Sequence, residues 1–118
     1  MAREIKFRAW EKSLQEIIPV HDIDFSSRQI NTNGAWRLFN EVELMQYTGL
    51  KDNSGREIYE GDIISIYELG IYEVIFKEGC FGAEDWVGFS PFRGTIWGYG
   101  GVVIGNVYEN PELLEPQP

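Results

Sequence analysis

The sequence predicts a mainly β fold: a single small domain, built as a curved sheet or small SH3-like barrel with an N-terminal hairpin. Three observations point there. Apolar and polar side chains alternate with period two along much of the chain, no long segment carries the 3.6-residue period of a helix, and Gly, Asn and Asp break the chain at short intervals. With 118 residues, 43% hydrophobic and 14% aromatic, the chain can bury one core, so residues 1–118 are read as one domain.

In EIKFRAW (4–10), Ile5, Phe7 and Ala9 fall on one face and Lys6 and Arg8 on the other, as a half-buried strand requires. LQEIIPV (14–20) is its partner, with Glu11 to Ser13 as the turn. Pro19 withholds a ladder donor and suits an edge or a strand end. Asn33-Gly34 has the residues of a tight hairpin turn, between short strands near Arg28 to Ile30 and Ala35 to Phe39.

The stretch LMQYTGLKDNSGREIYEGDII (44–64) reads as loop-like and glycine-spaced. Asp52-Asn53-Ser54-Gly55 is a polar hairpin tip, in which Asx side chains bond local backbone, Gly55 tolerates a left-handed angle, and Lys51 and Arg56 approach across the neck. Tyr59-Glu60-Gly61-Asp62 is a second bend, with Gly61 reversing the chain and Asp62 capping N–H groups ahead of Ile63, Ile64 and Ile66. DIISIYEL and IYEVIFKE then read as a hairpin of long strands about Gly70. Between Gly79 and Gly105 glycines alternate with Phe81, Trp86, Phe89, Phe92, Trp97 and Tyr99, which suits bent strands or an exposed aromatic loop. GVVIGNVYEN closes the sheet, and Asn110-Pro111 starts a short turn or helix, PELLE.

The net charge is −9, and residues 1–30 are balanced, so the acidic excess lies in residues 31–118. Such a surface repels phosphate and argues against direct nucleic-acid binding. Cys80 is the only cysteine, which excludes an internal disulfide framework, and the sequence contains no apolar run long enough for a membrane span or a signal peptide; a soluble, cytoplasmic setting is expected.

REIKFRAW, LMQYTGLKDNSGREIYEGDII and VIGNVYENPELL resemble, in order and spacing, the three recurring blocks of the YopX family of phage and prophage proteins. The central block is the specific one: Tyr-Thr-Gly-Leu-Lys-Asp followed by Ile-Tyr-Glu-Gly-Asp. The resemblance implies a small, mainly β protein of a bacterial host's cytoplasm, encoded by a phage-derived gene, with no established activity and with a tendency to form oligomers. It also implies that the segment between Gly70 and Gly101 varies from member to member.

No catalytic constellation is legible. His21, the only histidine, lies in VHDID beside Asp22 and Asp24, an arrangement that reads as a surface turn before it reads as a metal or acid–base site. Cys80 in KEGCFG has no neighbouring base and reads as a small buried residue or an incidental thiol. Glu60 and Asp62, with Asp52 nearby, have the oxygen ligands a divalent ion takes, but turn capping explains them more simply. GYGG (98–101) is too short and too aromatic for a phosphate loop. A non-enzymatic protein without cofactor or metal is expected.

The expected function is that of an interaction module which associates with itself before it binds a host or phage protein. Trp86, Phe89, Phe92 and Trp97 are the interface candidates, and Asp52, Gly55, Gly61 and Asp62 form the structural turns. Two alternatives use the same composition. In one, the aromatics stack on single-stranded bases while Arg3, Lys6 and Arg8 contact phosphates; in the other, carboxylates between residues 41 and 85 imitate the phosphate array of DNA to occupy a host protein. Filling the interior of a small barrel is the simplest use of the aromatics, and burial between copies of the chain the next.

Overall fold

The computed structural model describes residues 4–92 and 100–115, which form twelve strands and two short 3-10 turns. The described residues contain no α-helix, so the expected mainly β class is observed. Within this fold the chain gathers into two compact units, Met1–Tyr47 and Thr48–Pro118.

The first unit begins with the expected hairpin, β1 (Phe7–Glu11) against β2 (Glu16–Pro19), with Pro19 ending an edge strand. β1 runs one residue into the expected turn because Glu11 faces inward, 2% exposed, and organises the turn itself. Its carboxylate accepts bonds from the Ser13 hydroxyl and the Leu14 N–H, with Arg37 4.0 Å away. Those bonds, the Leu14 N–H foremost, hold the carboxyl below its usual range against the opposing effect of burial. β3 (Asp22–Asp24), β4 (Gln29–Thr32) and β5 (Ala35–Leu38) form a three-stranded meander. The Asn33-Gly34 turn has φ of 52° and 87°, the positive pair of a type I′ hairpin. Ala9, Ile30 and Val42 are the buried centre of this unit, with Ile18, Ile23 and Leu44 packed around them.

After a 3-10 turn at Phe39–Glu41 comes β6 (Val42–Lys51), ten residues long. Residues 44–51 are therefore strand, not the loop that Thr48-Gly49 implies. Gly49 adopts φ 85° within the strand, and Thr48 Oγ1 donates to the carbonyl of Ile58 on β7 (Glu57–Tyr59) at 2.8 Å, so side-chain chemistry replaces part of the ladder there.

The second unit is organised by a strongly curled five-stranded sheet. Its order is β11-β10-β9-β8-β12, comprising β8 (Asp62–Ile66), β9 (Gly70–Lys77), β10 (Cys80–Glu84), β11 (Phe89–Pro91) and β12 (Gly101–Asn106). Among the described strands β11 and β12 stand at its edges, which matches the curved-sheet form of the expectation. Ile64, Ile66, Val74, Ala83 and Val103 point to one face and, with Ile58 and Phe92, make its core. β8 ends at Ile66, earlier than DIISIYEL implies, because Glu68 turns left-handed (φ 63°) and the Leu69 N–H bonds the Ile66 carbonyl. The β9–β10 hairpin went unread in the sequence: Glu78-Gly79 (φ 54° and 82°) is the same kind of two-residue turn as Asn33-Gly34, hidden by its glutamate.

Candidate functional site

Asp52, Gly55, Gly61 and Asp62 lie in the two bends, and each is bonded to backbone groups. Asp52 is buried, and its Oδ1 accepts the Ser54 N–H (2.9 Å), the Ser54 hydroxyl (2.7 Å) and the Arg56 N–H (2.9 Å). Its Oδ2 accepts the Val103 N–H of β12 at 2.8 Å, and the Asn53 N–H bonds the Gly101 carbonyl, so the hairpin tip is fastened to the sheet edge. Burial pushes the Asp52 carboxyl up, but these donors, the Val103 N–H first, outweigh it and hold the group below the usual aspartate value. Gly55 closes the tip at φ 90°.

Asp62 is fully buried and accepts the Tyr59 N–H at 2.8 Å, while Gly61 (φ 85°) donates to the Val74 carbonyl and accepts from Val107. The third block works in the same way. Asn106 Oδ1 accepts the N–H groups of Tyr108 and Glu109, and its Nδ2 donates to Glu109 Oε1. A Cβ on Gly105 would lie 2.5 Å from the Asn110 side-chain oxygen that holds the Asn106 N–H. Among the described residues, no three His, Cys, Asp or Glu side chains gather as metal ligands would.

His21 Nε2 lies 2.8 Å from Asn33 Oδ1, Asp22 accepts from Asn31, and Asp24 caps the Ser26-Ser27 turn, so in VHDID the residues Asp22–Asp24 are strand and the polar groups are bonded locally. The Cys80 thiol points at the Lys77 carbonyl, 3.6 Å away, at the start of β10.

The interface candidates separate sharply. Phe92 is 7% exposed and sits in the core against Ile58 and Ile64, so its ring is already covered within one copy of the chain and it is removed from the candidate surface. Phe89 is half-buried, its ring lying over Gly82, where an added Cβ would come within 2.6 Å of it. Trp97 lies outside the described residues. Trp86, by contrast, is 92% exposed and Val87 74%. They form the tip of the β10–β11 loop, which is pinned from within: Asp85 Oδ1 accepts the N–H groups of Val87 (2.9 Å) and Gly88 (3.1 Å), and the Asp85 N–H bonds the Gly88 carbonyl.

Trp86 stands at the mouth of a groove of about 540 Å³ on the sheet face opposite the core. Register explains its floor. Because Val74 and Ala83 point into the core, their neighbours Glu73 and Glu84, directly opposed on β9 and β10, point outward together. Ile71 and Glu73 continue along β9, and the 3-10 turn Pro111–Leu114 supplies Leu113 and Leu114 as the far wall, followed by Glu115. Burial, and then the Glu84 carboxylate, push the Glu73 carboxyl above its usual range. Sequence reasoning missed this groove because its floor depends on the unread β9–β10 register; the exposed Trp86 was the part a sequence could signal.

Residues 6–115 match the YopX protein family. Among solved structures, the chain is similar to the crystal structure of protein EF1440 from Enterococcus faecalis, with 31% identity over 97% of this chain and 100% of that one and a TM-score of 0.72. No curated protein is significantly similar in sequence. With the family match spanning nearly the whole chain, and with the Asp52, Gly61–Asp62 and Gly105–Asn106 blocks each accounted for as a structural fastening, this protein belongs to the YopX family.

Proposed function

We propose that this chain is a phage-derived, non-enzymatic interaction module of the bacterial cytoplasm, which assembles with copies of itself and holds a partner protein, with the Trp86 loop as its contact surface. The observation that carries the reading is the presentation of Trp86. An indole 92% exposed, beside a 74% exposed Val87, is held on a loop stiffened by its own aspartate and flanked by grooves on either side. Large aromatic side chains fixed in advance lose little freedom on binding and are the commonest anchors of protein interfaces. Asp24, Asp52, Asp62 and Asp85, by contrast, are used in holding turns together, which supports the non-catalytic part of the reading. No helix among the described residues is long and apolar enough to cross a membrane.

The carboxylates around Trp86 weigh against the single-stranded nucleic-acid alternative, since stacking on this indole would bring phosphates beside Glu73, Glu84 and Asp85. Size-exclusion chromatography with light scattering tests the main reading. The wild type is expected to be oligomeric at micromolar concentration and Trp86→Ala to shift toward the monomer; a monomeric wild type ends the self-association half of the proposal.

A further inference from the structure

Glu73 and Glu84 place two like charges directly opposite each other across β9 and β10, where cross-strand neighbours of opposite sign are the stabilising arrangement. Lys77 reaches Glu84 Oε2 at 3.2 Å, but among the described residues no cation lies within ion-pair distance of Glu73. Burial first, and the Glu84 carboxylate after it, raise the Glu73 carboxyl. Around the pair, Ile71, Leu113 and Leu114 are apolar, Asp85 and Glu115 add carboxylates, and the exposed Trp86 indole closes one side.

This combination fits one kind of side chain: an alkyl stem ending in a cation. The stem lies along Ile71 and Leu114, the head reaches the Glu73–Glu84 pair, which among the described residues has only Lys77 as counter-charge, and the indole face attracts the same cation. We propose that the groove docks a basic segment of a partner protein, an extended stretch in which Lys or Arg alternates with apolar residues. The proposal rests on the reading of the Trp86 loop as a contact surface and names the chemistry of what it contacts. A second copy of the chain, with its net charge of −9, is the poorer occupant of the carboxylate floor, so self-association is left to the exposed Trp86–Val87 tip of the loop, and an anionic polymer or membrane is repelled by the same carboxylates. The volume of about 540 Å³ accommodates a few side chains of a strand, not a folded domain.

Fluorescence anisotropy on the full chain tests it with three labelled probes: a peptide alternating Lys or Arg with Leu, the same peptide with Glu for each basic residue, and an oligothymidylate. The basic peptide is expected to bind, with affinity falling steeply as salt is raised, and to bind about tenfold or more weakly to the Glu73→Gln, Glu84→Gln double variant. Gln keeps the shape of each side chain, and a thermal melt confirms that the variant folds. Equal binding of the acidic peptide or the oligothymidylate overturns the proposal. So does a double variant that binds the basic peptide as tightly as wild type; if that variant still self-associates and Trp86→Ala does not, the contact-surface reading survives the loss of the groove. A Trp86→Ala variant unchanged in both assays overturns that reading as well.

Discussion

The Asp52 carboxylate and the Val103 N–H, 2.8 Å apart, join the central hairpin tip to the last strand of the sheet across 51 residues of chain. An aspartate at a hairpin tip ordinarily bonds only its own turn, as Asp24 does with Ser26 and Ser27. Asp52 does both, one oxygen organising Ser54 and Arg56 and the other serving β12, so the local turn and the distant strand depend on one carboxylate.

Asp52→Ala is accordingly expected to destabilise by about 2 to 3 kcal/mol, since it strips a buried N–H of its charged acceptor and the turn of its organiser. Urea unfolding measures it. The pH dependence has a definite sign: the folded carboxyl is held below the ordinary value of 3.8, so its contribution is present above that pH and fades as the pH falls through the lowered folded value. The gap between wild type and variant should therefore close in acid; a constant gap would show that the carboxylate's charge is not what the bonds use.

Gly61→Val should cost about 1 to 3 kcal/mol, because φ 85° lies in the region that β-branched residues avoid and both backbone groups of Gly61 are bonded in that conformation. An unchanged urea midpoint would mean that the Tyr59–Asp62 bend can be made another way.

Gly82→Ala tests the β10–β11 pairing that supports the Trp86 loop. The added carbon would lie 2.5 Å from the Ser90 carbonyl oxygen and 2.6 Å from the Phe89 ring, so β11 must shift away. Amide exchange at Phe89 and Ser90 is expected to rise while the β8–β9 amides stay protected. Uniform loss of protection would show instead that β11 is needed by the whole sheet.

Glu73→Gln is expected to stabilise the protein at pH 7. The folded carboxyl titrates above its ordinary value of 4.5, so the wild type is penalised when the group is ionised, and that penalty disappears as the pH falls through the raised folded value. Thermal melts at pH 7 and pH 4 should show an advantage for the Gln variant only at the higher pH. An advantage of equal size at both would place its origin in packing and not in charge.

The parts of the fold that were legible in the sequence are those where one signal acts alone. EIKFRAW alternates cleanly and is strand from Phe7 onward, though Ile5 lies ahead of the strand and is exposed, and Asn33-Gly34 names its own turn, found as expected. The parts that were not legible are those where two signals conflict. Thr48-Gly49 suggests loop, but its local irregularity is absorbed inside β6 by the Thr48 hydroxyl. Glu78 carries no turn preference of its own and still takes φ 54°, because β9 and β10 pair strongly enough on both sides to impose it. Phe92 and Trp86 are both aromatics of the glycine-spaced segment, yet Phe92, just after β11, faces the core and Trp86, at the tip of the β10–β11 loop, faces solvent; where the strands end decides that, and glycine-rich sequence does not reveal those ends.

The strand order of the second sheet also dictates when its parts become available on a growing chain. β8 has β9 as an immediate neighbour in sequence, but its other edge waits for β12, which begins only at Gly101. Until then Ile63, Ile64 and Ile66 belong to a strand with one open side, the kind of edge that recruits other chains. Synthesis halted between residues 66 and 101, or a stop codon there, should therefore yield aggregates in place of a truncated soluble fragment, and Glu68 and Glu73, the first charged residues after β8, are the nearest brake on that association.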